Sequence, residues 1–221
     1  MSEEILINVT PPETRVAVIE NGVAQEIIVE RDGHRGLVGN IYKGKVCRVL
    51  PGMQAAFVEI GLERAAFLHA SDIVTPEHEP RSENITELVH DGEEIVVQVV
   101  KDPLGTKGAR LTTNISIPSR FLVFMPALHN IGVSQKIEDE EERQRLRNIL
   151  QQFVQNSDRH GGYIARTAAE AVGEEALHAD MRFLAKLWQG IQERCQATSG
   201  VELIHEDLPL ALRALRDLVG P

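Results

Sequence analysis

Gly39-Asn40-Ile41-Tyr42-Lys43-Gly44-Lys45-Val46, then Gln54-Ala55-Ala56-Phe57-Val58-Glu59-Ile60-Gly61, then Ala66-Phe67-Leu68-His69 is the stretch that decides the fold of this chain. Short runs rich in β-branched and aromatic residues, punctuated by glycine, read as strands. Lys43 and Lys45 share one face of the first run, and Phe57 and Phe67 lie on the two that follow. Every base has a π-face, so aromatic side chains on a sheet give stacking worth roughly 1–3 kcal/mol per base, while nearby lysines follow the phosphates. Phe57, Phe67, Lys43 and Lys45 are therefore candidate RNA-binding residues. The same two rings would also serve as barrel core, because only 4% of the chain is aromatic and a core needs large hydrophobes.

Working outward, residues 38–50, 54–60, 65–68, 95–101 and 109–117 have strand character, with a Pro51-Gly52 turn after the first. Five such strands suit an OB barrel, a small closed sheet that binds oligonucleotides on one face. Residues 75–92, rich in acids with Pro and Ser, read as a surface loop. Upstream, residues 5–9, 15–20 and 23–30 form a three-stranded antiparallel sheet, its hairpin turning at Asn21-Gly22. No helix follows at once to cover that sheet. Downstream of Pro118 the pattern becomes α/β: strands at 121–125 and 133–137, a helix at 140–154, a strand at 162–166 and a long helix at 174–195. A strand at 201–205 and a helix at 208–218 close the chain, and both are expected to return to the opening sheet. The fold class is α+β and multidomain.

The 221 residues are 43% hydrophobic and 25% charged, the composition of a folded globular protein. The net charge of −10 argues against a uniformly basic nucleic-acid surface. Local clusters survive it: Lys43, Lys45 and Arg48 fall together, as do Lys101, Lys107 and Arg110. Acidic residues where a signal peptide would be basic, and no apolar run near the roughly 20 residues of a membrane span, lead to a cytoplasmic expectation with no membrane partner. Cys47 and Cys195 lie too far apart for a paired motif and read as reduced thiols. His69, His78, His90, His160, His178 and His205 show no ligand spacing, so no metal is expected in this chain. The acids at 138–142 read as the start of a helix, and Met181, Phe183, Leu184, Leu187, Trp188 and Ile191 as an apolar core stripe.

Four segments in order, Asn40 to Val46, Ala55 to Val58, Lys107-Gly108-Ala109-Arg110-Leu111-Thr112-Thr113 and Leu122-Val123-Phe124-Met125-Pro126, resemble the ribonuclease E/G family. Gly132 to Glu138 and Ala165 to Glu170 are closer to its G branch than to its E branch. The resemblance covers essentially the whole chain. It implies a partial RNase H-like subdomain (1–36 and 201–221), interrupted by an S1-like OB barrel (37–117) and a small α/β 5′-sensor subdomain (118–200).

The resemblance also implies roles. Phe57, Phe67 and Lys107 would meet single-stranded RNA, assisted by Lys43 and Lys45. Arg166 and Thr167 would contact an RNA 5′-monophosphate, assisted by backbone near Val123. A guanidinium grips a terminal phosphate through paired hydrogen bonds and a neighbouring hydroxyl adds another. Read without the family, Arg166-Thr167 is a surface ion pair and a helix cap. Where the E branch places a glycine and an arginine in this pocket, the chain has Ser119 and Gln135. The parent enzymes are implied to be magnesium-dependent endoribonucleases of rRNA maturation and mRNA turnover, and homo-oligomers in which zinc can join protomers. The chain is expected to stop before the metal-holding carboxylates and so to be inactive alone. A non-catalytic S1-like RNA-binding module is the alternative.

Overall fold

The computed structural model describes residues 2–75, 82–155 and 161–219, and contains thirteen strands and four α-helices within them. The first three strands, β1 (Glu3–Val9), β2 (Glu13–Glu20) and β3 (Val23–Arg31), make an antiparallel sheet in the order β1-β2-β3. The β2–β3 turn places Asn21 and Gly22 at φ 49° and 78°, the left-handed pair that a two-residue hairpin requires.

Five strands follow: β4 (Ile41–Leu50), β5 (Ala55–Glu59), β6 (Ala66–His69), β7 (Glu94–Lys101) and β8 (Arg110–Thr112). The short helix α1 (Ile85–Leu88) lies within the expected loop, of which residues 76–81 fall outside the described part. The order β4-β5-β6-β8-β7 closes through β7 pairing back onto β4, giving the expected five-stranded barrel. Its interior is filled by alternate residues, among them Val46, Val58, Ala66, Leu68, Val97 and Leu111, all essentially solvent-free. Gly44 faces inward because a Cβ there would stand 2.7 Å from Val58 Cγ1. The run expected as one strand over 109–117 is broken. β8 ends at Thr112, and Thr112 Oγ1 then donates to the Asp72 carbonyl while its backbone neighbours turn away.

Strands β9 (Ile117–Pro118), β10 (Leu122–Met125), β11 (Ile131–Val133) and β12 (Gly162–Ala165) form a second sheet in the order β11-β12-β10-β9. The strand expected at 133–137 therefore ends where it was expected to begin. Ser134 to Ile137 make a turn closed by Ile137 N–H donating to Ser134 O, and Ile137 enters the core. Helices α2 (Glu140–Gln155) and α3 (Glu174–Ala197) bury Leu146, Ile149, Leu150, Leu177, Met181 and Leu184 against Leu122, Phe124, Tyr163 and Ala165. The other sheet face carries Val123, Ile164 and Arg166.

The last strand, β13 (Glu202–His205), differs from expectation. It pairs antiparallel with Ile41–Lys43 of β4, taking the edge of that strand below the point where β5 leaves it. Ile204 and Ile41 are buried together in the α2/α3 core, which is what draws β13 to the barrel. Only α4 (Leu210–Asp217) goes to the opening sheet, where Leu210 and Ala214 pack on Val16. The chain accordingly divides into two compact units, Met1–Leu37 with Asp207–Pro221, and Val38–Glu206. No helix among the described residues is long and apolar enough to cross a membrane.

Candidate nucleic-acid interface

The outer face of the barrel is unevenly covered. On β4 and β7, Ile41 and Val96 pack into the α2/α3 core. On β5 and β6, Phe57 and Phe67 are half-buried and directly opposed in register, with ring centroids 6.2 Å apart and planes at 69°. The structure puts both rings on the outer face of the barrel. Alternation is the reason: Ala56, Val58, Ala66 and Leu68 already occupy the interior positions of the same strands.

Register extends this pair into a row across the barrel. Arg48 of β4 opposes Phe57, Phe67 opposes Arg110 of β8, and Arg110 opposes Lys101 of β7. The two aromatic rings are thus flanked on both sides by cations. Arg110 is held by Asp72, its Nε and Nη2 lying 3.0 and 2.9 Å from Oδ2, and keeps further N–H donors. Along β6, His69 stands two residues from Phe67, with ring centroids 6.4 Å apart. From the sequence, Arg48 and Arg110 belong only to local basic clusters and His69 only to the strand of Phe67, none of them with an assigned RNA contact. Their membership depends on register, and bulges at Cys47 and Val100 shift the register of β4 and β7 by one.

The lysines separate. Lys107 is exposed on the β7–β8 loop, which is fastened beside the start of β6. Arg64 Nη1 donates to Gly105 O at 2.5 Å, and a Cβ on Gly108 would stand 2.1 Å from Ala65 O. Lys45 is exposed on β4. Lys43 is engaged elsewhere: its Nζ donates to Thr198 O at 2.7 Å and pairs with Glu94 at 2.9 Å. It thereby satisfies the carbonyl end of α3, where a cation is favoured by the helix dipole. That bond also explains why the Glu94 carboxyl is held below its ordinary range, chiefly by the hydrogen bond from Lys43.

Arg166 and Thr167 follow β12 directly. Arg166 N–H donates to Phe121 O at 2.8 Å and its Nη1 to Ser119 O at 2.6 Å. Thr167 is exposed, its Oγ1 3.5 Å from Ser134 Oγ. Val123 lies on the same sheet face, opposite Ile164. Ser119, itself buried, donates its hydroxyl to Asp180 Oδ2 at 2.5 Å, and Phe121 N–H donates to the same oxygen at 3.2 Å. Burial pushes the Asp180 carboxyl above its ordinary range, and the bonds from Ser119 and Phe121 and the charge of Arg166 pull it partly back. No group of three or more His, Cys, Asp or Glu among the described residues is placed to hold a metal ion.

Residues 26–113 match the S1 RNA binding domain and residues 116–221 the ribonuclease E/G family. The chain is 54% identical to the ribonuclease G of Escherichia coli strain K12 over 98% of its own length. The chain belongs to the ribonuclease E/G family. It spans 45% of that relative's length, and the same 45% of the Haemophilus influenzae ribonuclease G, to which it is 53% identical. Identity to the ribonuclease E of a Nostoc species is 39% over 92% of this chain and 29% of that protein. The S1 match coincides with the strands of the closed barrel. The ribonuclease E/G match contains the second sheet, both long helices, Arg166 and Thr167.

Proposed function

We propose that this chain holds single-stranded RNA for a cytoplasmic endoribonuclease of the E/G family, acting in rRNA maturation and mRNA turnover. RNA lies on the barrel with bases on Phe57 and Phe67 and phosphates near Arg48, Arg110, Lys101, Lys107 and Lys45. A 5′-monophosphate is met by Arg166 and Thr167, with backbone near Val123. On this reading residues 118–200 are the 5′ sensor, and the opening sheet with α4 belongs to an RNase H-like subdomain. On the same reading this chain binds RNA and does not itself cleave it, hydrolysis needing convergent metal-holding carboxylates. Magnesium, an inter-protomer zinc and homo-oligomerisation are assigned to the parent enzyme as a whole.

The observation that carries the proposal is the row Arg48, Phe57, Phe67, Arg110, Lys101, in which two half-buried aromatic rings lie between cations on the outer face of the barrel. Titration of a labelled 5′-hydroxyl oligoribonucleotide, followed by fluorescence anisotropy, tests it. The Phe57→Ala, Phe67→Ala double variant should lose at least tenfold in affinity, as expected for removing stacking of roughly 1–3 kcal/mol per base. Wild-type affinity in a double variant with native circular dichroism would sink the platform.

A further inference from the structure

We propose that Asp180 is a positioning residue for 5′-phosphate recognition, acting on Arg166 through the turn that joins β9 to β10. This rests on the reading of Arg166 and Thr167 as the 5′ sensor and names a further residue on which that sensor depends. Arg166 is fixed at both ends by this one turn: its backbone N–H donates to Phe121 O at 2.8 Å and its Nη1 to Ser119 O at 2.6 Å. The turn is closed by Ser119 N–H donating to Leu122 O at 2.8 Å. Asp180 ties it to α3. Its Oδ2 accepts the Ser119 hydroxyl at 2.5 Å and Phe121 N–H at 3.2 Å, and Leu122 N–H also bonds the carboxylate. Three donors of the turn thus converge on one side chain, while two acceptors of the same turn go to Arg166.

Asp180 shares the face of α3 that buries Leu177, Met181 and Leu184, lying one helical turn from both leucines. A carboxylate there loses hydration that only hydrogen bonds can replace. Burial is accordingly the largest influence on its acidity, raising the pKa, and the bonds from Ser119, Phe121 and Leu122 oppose it. The charge of Arg166 acts on it more weakly than any of those bonds. The link from Asp180 to Arg166 therefore runs through the turn more than across space. Leu122 N–H and Phe121 O belong to the same peptide unit, so a carboxylate drawing on that N–H polarises the carbonyl that accepts Arg166 N–H. Recognition groups must be held to within about 0.5 Å, and a turn released from α3 no longer sets Arg166 to that tolerance.

Anisotropy titrations of the whole chain test this with an oligoribonucleotide carrying a 5′-monophosphate and its 5′-hydroxyl twin, at one pH and salt concentration, read as the ratio of the two affinities. Wild type should favour the monophosphate several-fold. Asp180→Ala, which releases all three donors, should bring the ratio near one. Asp180→Asn keeps an acceptor oxygen without its charge, so its ratio should fall between the two. Melting temperature separates position from stability: Asp180→Asn should melt above wild type at neutral pH while discriminating less. A fall in both returns Asp180 to a purely structural role. If Asp180→Ala does not fold, Asp180→Asn decides alone. A ratio at or above wild type in Asp180→Asn, which removal of an anion near Arg166 would give by charge alone, overturns the positioning role, as does an unchanged ratio in folded Asp180→Ala. Loss of the ratio in Arg166→Ala would then show that the sensor itself stands. A wild-type ratio of one removes the sensor and the positioning role together.

Discussion

At the scale of single side chains, what a cation offers to RNA depends on what already holds it. Lys107 is exposed on a pinned loop, whereas Lys43 has its ammonium on the last carbonyls of α3. Lys107→Ala should flatten the dependence of log affinity on log salt by about one unit, since one phosphate contact is lost. Lys43→Ala should leave that slope alone and lower the melting temperature by about 2–4 °C, read by differential scanning calorimetry. Arg166 sits between these cases: its Nη1 donates to Ser119 O, and on the proposed reading its guanidinium meets the RNA 5′-phosphate beside Thr167. A 5′-monophosphate oligomer should therefore bind several-fold better than its 5′-hydroxyl twin. Arg166→Ala should remove that ratio, and Arg166→Lys, which lacks the planar fork, should restore it only partly. Equal binding of the two oligomers at low salt would return Arg166-Thr167 to a structural pair. Asp180, behind this arginine, makes a pH prediction. Its folded pKa is raised by burial, so the stability it contributes is fullest below the unfolded value and is lost as pH rises through the folded one. Asp180→Asn should accordingly melt about a degree or two above wild type at pH 7, with the difference closing as pH falls toward about 4. A variant that melts lower at neutral pH would mean that the anion is stabilising.

At the scale of elements, the barrel was legible and its register was not. Alternating small and β-branched residues over 41–68 and 94–112 specify strands whatever their partners. Which outer residues line up across five strands depends on bulges at Cys47 and Val100, and a one-residue shift decides whether Arg48 or its neighbour stands beside Phe57. The destination of β13 was illegible for a similar reason. Glu202 to His205 alternate as any edge strand would, and only the shared burial of Ile204 and Ile41 selects β4 over the opening sheet. Whether Phe57 and Phe67 face the barrel interior was open in the sequence because large aromatics fill most cores; alanine, valine and leucine fill that interior instead and leave both rings half-buried on the outer face. Glycine marks where elements come closest. Gly108 lies against the Ala65 carbonyl, so Gly108→Ala must push the β7–β8 loop off β6. Urea unfolding should show a loss of about 1–3 kcal/mol, the usual cost of overpacking, together with weaker RNA binding through the displaced Lys107. An unchanged midpoint would mean that the loop is free to move at no cost.

At the scale of the whole molecule, the two compact units differ in what holds them. In the unit of Val38–Glu206, two long helices bury their apolar stripes against a sheet, and the barrel adds an interior of its own. The unit of Met1–Leu37 and Asp207–Pro221 relies on one eight-residue helix over a three-stranded sheet, with Val16, Leu210 and Ala214 as its fully buried centre. The opposite face of that sheet leaves Leu6, Ile27 and Val29 exposed. Glu30 ties the helix down by accepting from Leu210 N–H and from Arg213 Nη2, at 3.0 and 2.7 Å, and Arg216 bonds Asp207. These are part-buried ion pairs, whose attraction is largely offset by the cost of desolvating both charges, so they add little compared with buried apolar area. Native proteins open in cooperative units whose free energies follow such differences. Amide hydrogen exchange of the intact chain, read by mass spectrometry, should therefore show β1, β2, β3 and α4 exchanging as one group, at least tenfold faster than β4, β5 and β7. Both proposed RNA contacts lie in the slower unit, so saturating oligoribonucleotide should slow β5, β6 and the β7–β8 loop further and leave the faster group unchanged. Equal protection of the two groups in the free chain would show that the small unit is as stable as the barrel, which its three-residue centre gives no means of achieving.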